Sequence, residues 1–435
     1  MNQWAVVVAA GAIAGYGVFS RRLATTVVSG PLVFVVCGLA IGPLGFDLLN
    51  RERDPELTRA LFESALVLML FTDAASIRLG ALRREGFLAL RLLAVGLPAT
   101  IVVGWLLAWP LLPGLGVWEL ALVAIVLAPT DAALGQQAVS NKRVPPLIRH
   151  GLSVESGLND GLALPFFLLA LAAAGGSHAH AGVGETFLRA LLLSAALGIA
   201  VGWGGAHVLR RSALWGWSSP TWWPYTTLAV AAIAYVLCVA AEGSGFIGAW
   251  AAGLVFGHWM RRAPSGRQPR ADSPDPARST EFSERLGLLL ASLSFLVFGA
   301  VILGPVLANL TWRMVAYALI SLTVVRMLPV ALALVGTGLR PASLAYLGWF
   351  GPRGLASLVF GLLALEEGMP GSTQLSGVIA VTVALSVCLH GASAPFLGER
   401  YGDWYARRLR TDPAGLRENT LADTRHLAPP QTGDS

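Results

Sequence analysis

The chain has 435 residues, 55% of them hydrophobic and 13% charged, with a mean hydropathy of +0.64. A soluble globular domain carries about a quarter of its residues as charges, so this composition excludes one and points to a polytopic membrane protein. The net charge of +6 and pI near 9.6 do not call for a nucleic-acid partner, because basic loops facing the cytoplasm produce the same balance.

Runs of about 20 largely apolar residues, the length a helix needs to cross the hydrocarbon core, recur thirteen times: 4–20, 26–43, 60–77, 87–109, 118–139, 150–173, 185–208, 222–241, 245–260, 286–303, 312–335, 346–365 and 374–395. The predicted fold class is an all-α polytopic membrane protein of about 13 transmembrane helices. The first run has neither a basic leader nor a cleavage site, so it is expected to remain as a span. Residues 1–395 read as the transmembrane domain, with a Pro-, Ser- and Arg-rich stretch over 261–285 expected to be a disordered cytoplasmic connector. Residues 396–435 read as a short polar cytoplasmic tail. With the N-terminus outside, 24 of the 31 Lys and Arg residues fall on cytoplasmic segments and four on outside loops. That asymmetry is the one that orients a protein of the cell (inner) membrane. Cys37, Cys238 and Cys388 lie in apolar runs without metal-like spacing and read as small buried hydrophobes.

Two spans are interrupted. Span 5 contains "LAPTD", where Pro129 removes a backbone donor, and span 12 opens with "WFGPRGLAS", where Gly351, Pro352 and Gly354 break the helix. If spans 1–6 and 8–13 are two six-helix halves, both breaks fall in the fifth span of a half, and the odd offset of seven spans reverses direction in the membrane. This is the arrangement of an inverted repeat with broken crossing helices. The small-residue patterns "GAIAG" and "GLVFG" are of the helix-packing type, but 49 glycines make such matches expected by chance.

A charge at mid-membrane costs about 2.5–3.5 kcal/mol on insertion scales, so each one requires a partner, a wet cavity or a function. The candidates are Asp73, Asp131, Glu155, Asp160, Arg326 and Arg353; Glu242, at an outer span end, reads as solvated. At about 100° per residue, Ser156 and Asp160 share one face of span 6, as do Glu155 and Asn159, whereas Glu155 and Asp160 stand about 140° apart. The hydroxyl and carboxylate of Ser156 and Asp160 are hard oxygen ligands of the kind an alkali cation prefers. Glu155 is expected to pair with Arg353. Asp131, at the first break, either ligates an ion or caps a half-helix. Of the seven histidines, only His390 falls well inside a span, and the His178–Ala–His180 stretch reads as a solvated outside loop.

The stretch "APTDAALGQQAVSNKRVPPLIRHGLSVESGLNDGLALPFF", with "SGFIGAWAAGLVFG" and "GWFGPRGLASLVFGLL", resembles the monovalent cation:proton antiporter-1 family, the NhaP-type sodium/proton antiporters related to animal sodium/proton exchangers. The resemblance covers nearly all of residues 4–395. It implies that Asp160 binds either cation or proton, with Ser156 and the Thr130 backbone as further ligands of the monovalent cation. Asn159 fills the position of a second aspartate in electrogenic relatives, which implies electroneutral 1:1 exchange. Glu155 with Arg353 resembles the family's stabilising ion pair. Asp73 stands where many members carry a glutamate near the ion, and Ala132 departs from the common Thr-Asp-Pro form.

The activity this implies is secondary antiport of sodium or lithium against protons, with potassium/proton antiport as the alternative. Alternating access follows from competition at one site: Asp160 crosses with a cation or a proton, and the bare carboxylate does not. No cofactor is expected, and the partners are monovalent cations, protons, the lipid bilayer and a second copy in a homodimer. A cation channel would conduct without countertransport, and a membrane-embedded enzyme would need nucleophiles or metal ligands that the chain supplies poorly.

Overall fold

The computed structural model describes residues 3–23, 26–49, 55–78, 87–175, 183–262, 276–369, 371–412 and 416–419. Among these residues there are helices and connections but no strand. In chain order the α-helices are α1 (Gln3–Leu23), α2 (Gly30–Ile41), α3 (Pro55–Ser76), α4 (Phe87–Arg91), α5 (Leu97–Leu111), α6 (Val117–Val126), α7 (Ala132–Ser140), α8 (Pro146–Ala174) and α9 (Val183–Leu214). They continue as α10 (Trp223–Ala240), α11 (Gly245–Met260), α12 (Pro276–Val297), α13 (Gly304–Ala308), α14 (Trp312–Leu322), α15 (Val324–Ala333), α16 (Pro341–Trp349), α17 (Leu355–Glu366) and α18 (Ser372–Thr411).

Among the described residues, eight continuous helical stretches are long and apolar enough to cross a membrane. The other expected spans fall on shorter, interrupted or more polar helices, namely α2, α3, the α6–α7 pair, α11 and the α16–α17 pair. Prolines account for much of the irregularity. α4 joins α5 through a π-helical turn at Leu92–Gly96, just before Pro98, and α12 joins α13 through another at Phe298–Leu303, just before Pro305. A proline ring displaces the carbonyl one turn back and offers no N–H, and the widened turn absorbs both effects.

The helices sort into two bundles. α2, α3 and α9–α12 pack on one another, and α5–α8 pack with α14–α18; α8 and α17 of the second bundle meet α3 of the first, and α8 also meets α11. Small residues bring the first bundle together. A Cβ at Gly253 or Gly257 of α11 would overlap the main chain of α3 at Phe71 and Ala75, so "GLVFG" is a packing face. Gly11 and Gly15 of "GAIAG" face nothing within 4 Å.

Two segment boundaries differ from expectation. Residues 263–275 of the 261–285 stretch lie outside the described residues, but 276–285 are the first turns of α12. Its polar composition is that of a helix start, with Thr280 bonding Glu284 at 2.8 Å and Arg285 bonding Glu281 at 2.6 Å one turn apart. The last span does not stop near 395: α18 continues through Pro395 to Thr411, so the tail begins as helix. His178 and His180 lie outside the described residues.

Candidate cation-binding site

Span 5 breaks between α6 and α7 at Leu127–Asp131, and span 12 breaks between α16 and α17 at Phe350–Gly354, both at the proline-bearing stretches. The two breaks cross. The Asp131 N–H donates to the Pro352 carbonyl at 2.8 Å, and the Ser357 hydroxyl in the first turn of α17 donates to the Val126 carbonyl at the end of α6 at 2.7 Å. Each broken helix thus supplies the partners that the other lacks, which is what makes non-helical backbone tolerable at membrane depth.

Asp131 serves both half-helices that start at the crossing. Its Oδ1 accepts from the Leu134 N–H of α7 at 2.9 Å and its Oδ2 from the Leu355 N–H of α17 at 2.8 Å. Of the two roles open to it, the structure places it in the capping one. Gly354 makes this possible, since a Cβ there would overlap the Asp131 carboxylate.

α8 passes beside the crossing and brings Ser156, Asn159 and Asp160 to it. The Thr130 hydroxyl lies 2.9 Å from the Ser156 hydroxyl and accepts from Asn159 Nδ2 at 2.7 Å. The side chain of Thr130, from the break itself, therefore joins the two polar residues of α8. Asp160 is 8% exposed, and its Oδ1 makes no hydrogen bond; Asn159 Oδ1 is likewise buried and unpartnered. Asn159 faces Thr130 and makes no bond to Glu155. Asp73 of α3 is half-buried and packs against Gly157, one turn before Gly161 on α8. A cavity of about 310 Å³ lined by Gly135, Gln136, Ser140, Ser153, Ser156 and Phe350, among others, opens onto this cluster from the Pro146 end of α8.

The expected Glu155–Arg353 pair is not formed. Glu155 is paired with Arg326 of α15, whose Nη1 and Nη2 reach the two carboxylate oxygens at 2.5 and 2.8 Å with both side chains buried. This fork-to-carboxylate geometry is the strong form of an arginine ion pair. Gly351 leaves room for it, because a Cβ there would overlap the Arg326 guanidinium. Arg353 is fully buried, but it folds back so that its Nη1 donates to the Gly351 carbonyl at 2.5 Å, while its main-chain N–H donates to Ser386 Oγ at 2.6 Å. His390, one turn along α18, contacts Ser386 and lies with Nε2 3.0 Å from the Trp349 carbonyl. Arg353, Ser386 and His390 therefore brace the break.

The sequence puts Ser156 with Asp160 on one face of span 6 and Asn159 on the face of Glu155, and the resemblance adds Thr130 and Asp73; three features were missed: Arg326 as the partner of Glu155, the Thr130 side chain as the link between Ser156 and Asn159, and Ser386–His390 as the brace. Arg326 carried a signal as a charge inside a span, and His390 as the one histidine well inside a span.

The family profile described as sodium/hydrogen exchanger, transmembrane, matches residues 7–400. Among curated proteins, the chain is 24% identical over 369 residues to the K(+)/H(+) antiporter NhaP of Alkalimonas amylolytica, which covers 83% of this chain and 60% of that protein. It is 33% identical over 143 residues to a Na(+)/H(+) antiporter of Saccharomyces cerevisiae, covering 31% of this chain and 14% of the relative. The chain thus spans less than two thirds of the length of these relatives. Its fold is similar to that of the sodium proton antiporter MjNhaP1 from Methanocaldococcus jannaschii, with a TM-score of 0.75 at 21% identity over 92% of this chain and 98% of that one. With 394 consecutive positions matched, the chain belongs to the transmembrane sodium/hydrogen exchanger family.

Proposed function

We propose that the protein is a secondary antiporter that exchanges a monovalent cation, sodium or lithium in the first instance, for a proton at Asp160. The observation that carries this reading is the Asp160 carboxylate: it is buried, one of its oxygens lacks a hydrogen-bond partner, and Ser156, one turn earlier on α8, holds its hydroxyl 2.9 Å from that of Thr130. A bare carboxylate in that setting is costly, and either a proton or a desolvated cation removes the cost. The two therefore compete for one group, and the site crosses the membrane barrier in either neutral form. Ser156 and Thr130 supply further hard oxygens, and Asp73 adds negative charge on the side of the other bundle.

Asn159 supports a stoichiometry of one to one, because the residue beside Asp160 carries an amide where a second titrating carboxylate would add another proton. The cycle is a rocking of the α5–α8 and α14–α18 bundle, which contains both broken helices, against the bundle of α2, α3 and α9–α12. The orientation has the Pro146 end of α8 in the cytoplasm of a cell (inner) membrane, and the assembly is a homodimer. Potassium in place of sodium is the second reading, favoured by the similarity to the K(+)/H(+) antiporter of Alkalimonas amylolytica.

Purified protein in proteoliposomes, given outward gradients of sodium, lithium or potassium, tests the reading. Cation-driven proton movement that is unchanged when valinomycin and potassium clamp the voltage is the expected result for electroneutral exchange, with the active cation naming the substrate. Current without proton countertransport would make the protein a channel. An Asn159→Asp variant is expected to become voltage-sensitive.

A further inference from the structure

Two cavities stop on opposite sides of Asp160. The first, of about 310 Å³ at the Pro146 end of α8, reaches Ser156, one turn before Asp160. The second, of about 740 Å³, lies at the Ala174 end; Leu164 and Phe167 of α8 and Phe246 of α11 line it, and on α8 it ends at Leu164, one turn beyond Asp160. On α11, which starts at that same cavity, the turn after Phe246 brings Trp250 toward α8. The indole lies directly on Gly161, the neighbour of Asp160, and a Cβ at Gly161 would overlap the ring at Nε1, Cδ1 and Cε2. The indole N–H is buried and has no hydrogen-bond partner.

We propose that Trp250 is the gate on the Ala174 side of the transport site: seated on Gly161, its ring separates Asp160 from the larger cavity, and it leaves that seat when the two bundles move. The identification of Asp160 as the exchange group is the reading given above, and the gate rests on it. Trp250 belongs to the α2, α3 and α9–α12 bundle and Gly161 to the other, so a shift of one bundle against the other displaces the ring from its seat. The seat exists only because residue 161 has no side chain. An unpaired indole N–H in a low-dielectric interior is unfavourable, which suits a ring that finds an acceptor in its second position.

Cysteine accessibility tests the gate without requiring transport. In a background with Cys37, Cys238 and Cys388 replaced by alanine, Asp160→Cys serves as the reporter. A membrane-impermeant methanethiosulfonate, 2-(trimethylammonium)ethyl methanethiosulfonate, is applied to oriented vesicles from either side. With Trp250 present, labelling is expected to be at least tenfold faster from the Pro146 side. Trp250→Ala is expected to raise the rate from the Ala174 side at least tenfold. Gly161→Ala, which unseats the ring but keeps it, is expected to do the same, so that the proposal does not depend on one variant folding. An unchanged rate from the Ala174 side in a monodisperse sample of either variant would overturn the gate. Because the label reads access alone, that outcome leaves the antiport reading standing, and absence of cation-driven proton movement by the unaltered protein leaves the gate to be judged on labelling.

Discussion

Asp131 and Asp160 are both buried carboxylates at the crossing of the broken helices, yet they are held in opposite ways. Each oxygen of Asp131 accepts from a fixed backbone N–H, one from α7 and one from α17. Asp160 keeps a buried oxygen with no partner, one turn along α8 from Ser156, whose hydroxyl meets that of Thr130. A carboxylate whose acceptors are all engaged by helix termini is part of the scaffold, and one with unmet acceptor capacity is available to an ion or a proton. The two residues should therefore fail differently. Asp160→Ala is expected to abolish cation-driven proton movement, by more than 100-fold in proteoliposomes, with an unfolding midpoint within a few degrees of the unaltered protein. Asp131→Ala leaves two helix starts uncapped and is expected to cost on the order of 2–4 kcal/mol of stability in detergent, and Asp131→Asn about half of that, since an amide offers one acceptor. Robust exchange by a folded Asp160→Ala variant, or an Asp131→Ala variant of normal stability without exchange, would reverse the two roles.

The two buried arginines extend the same distinction. Arg326 is committed to Glu155 through both carboxylate oxygens, whereas the Arg353 side chain donates to the Gly351 carbonyl two residues away. Removing one member of a buried pair costs about 3–5 kcal/mol. Arg326→Ala is expected to lose an amount in that range, and pairing it with Glu155→Gln should recover more than about 1 kcal/mol. The corresponding cycle of Arg353 with Glu155 should couple by less than about 0.5 kcal/mol. Thermal or denaturant unfolding in detergent measures both cycles, and equal coupling would mean that the three side chains act as one network.

Which parts of this were legible in the sequence follows from the range of the forces involved. The helices and the two breaks were readable because apolar run length, Pro129 and the Gly-Pro-Arg-Gly stretch are local. Ser156 and Asp160 were readable as a pair because they lie one turn apart on one helix face, whereas Asn159 reads on the face of Glu155 and its bond to Thr130 appears only in the structure. The partner of Glu155 was not, because residues 326 and 353 are both distant in sequence, and the choice between them turns on how the chain leaves the break and on the room Gly351 provides. The Thr130 side chain was hidden for a similar reason: its hydroxyl reaches α8 only once the break has turned it there. Polarity also misled at 276–285, where Thr280 with Glu284 and Glu281 with Arg285 stabilise a helix start by pairs one turn apart, and composition alone does not distinguish that from a connector.

A third carboxylate gives the smallest test of the difference between a capped acid and an exchange acid. Glu418, in the tail, is fully buried; its Oε1 accepts from the Arg340 N–H at 3.0 Å and the Ser343 hydroxyl at 2.6 Å, at the start of α16, and Ser343 also meets Tyr401 of α18 at 2.8 Å. Arg340 is the residue that precedes α16, so the tail supplies from a distance the acceptor that an N-cap side chain would normally provide. Leu416 is buried beside it, which fixes the turn by apolar contact as well. Like Asp131, Glu418 is engaged by a helix start through Oε1, but its Oε2 is buried without a partner, as Oδ1 of Asp160 is, and it lies at the end of α16 remote from the break, so it tests whether the cap or the unmet oxygen decides the role. Glu418→Ala is accordingly expected to lower stability by about 1–2 kcal/mol and to leave the KM for the cation within twofold. A stability loss with unchanged KM places Glu418 with Asp131 as a cap. A KM change beyond twofold at normal stability would instead mean that α16 transmits the state of its first turn to the crossing at its last.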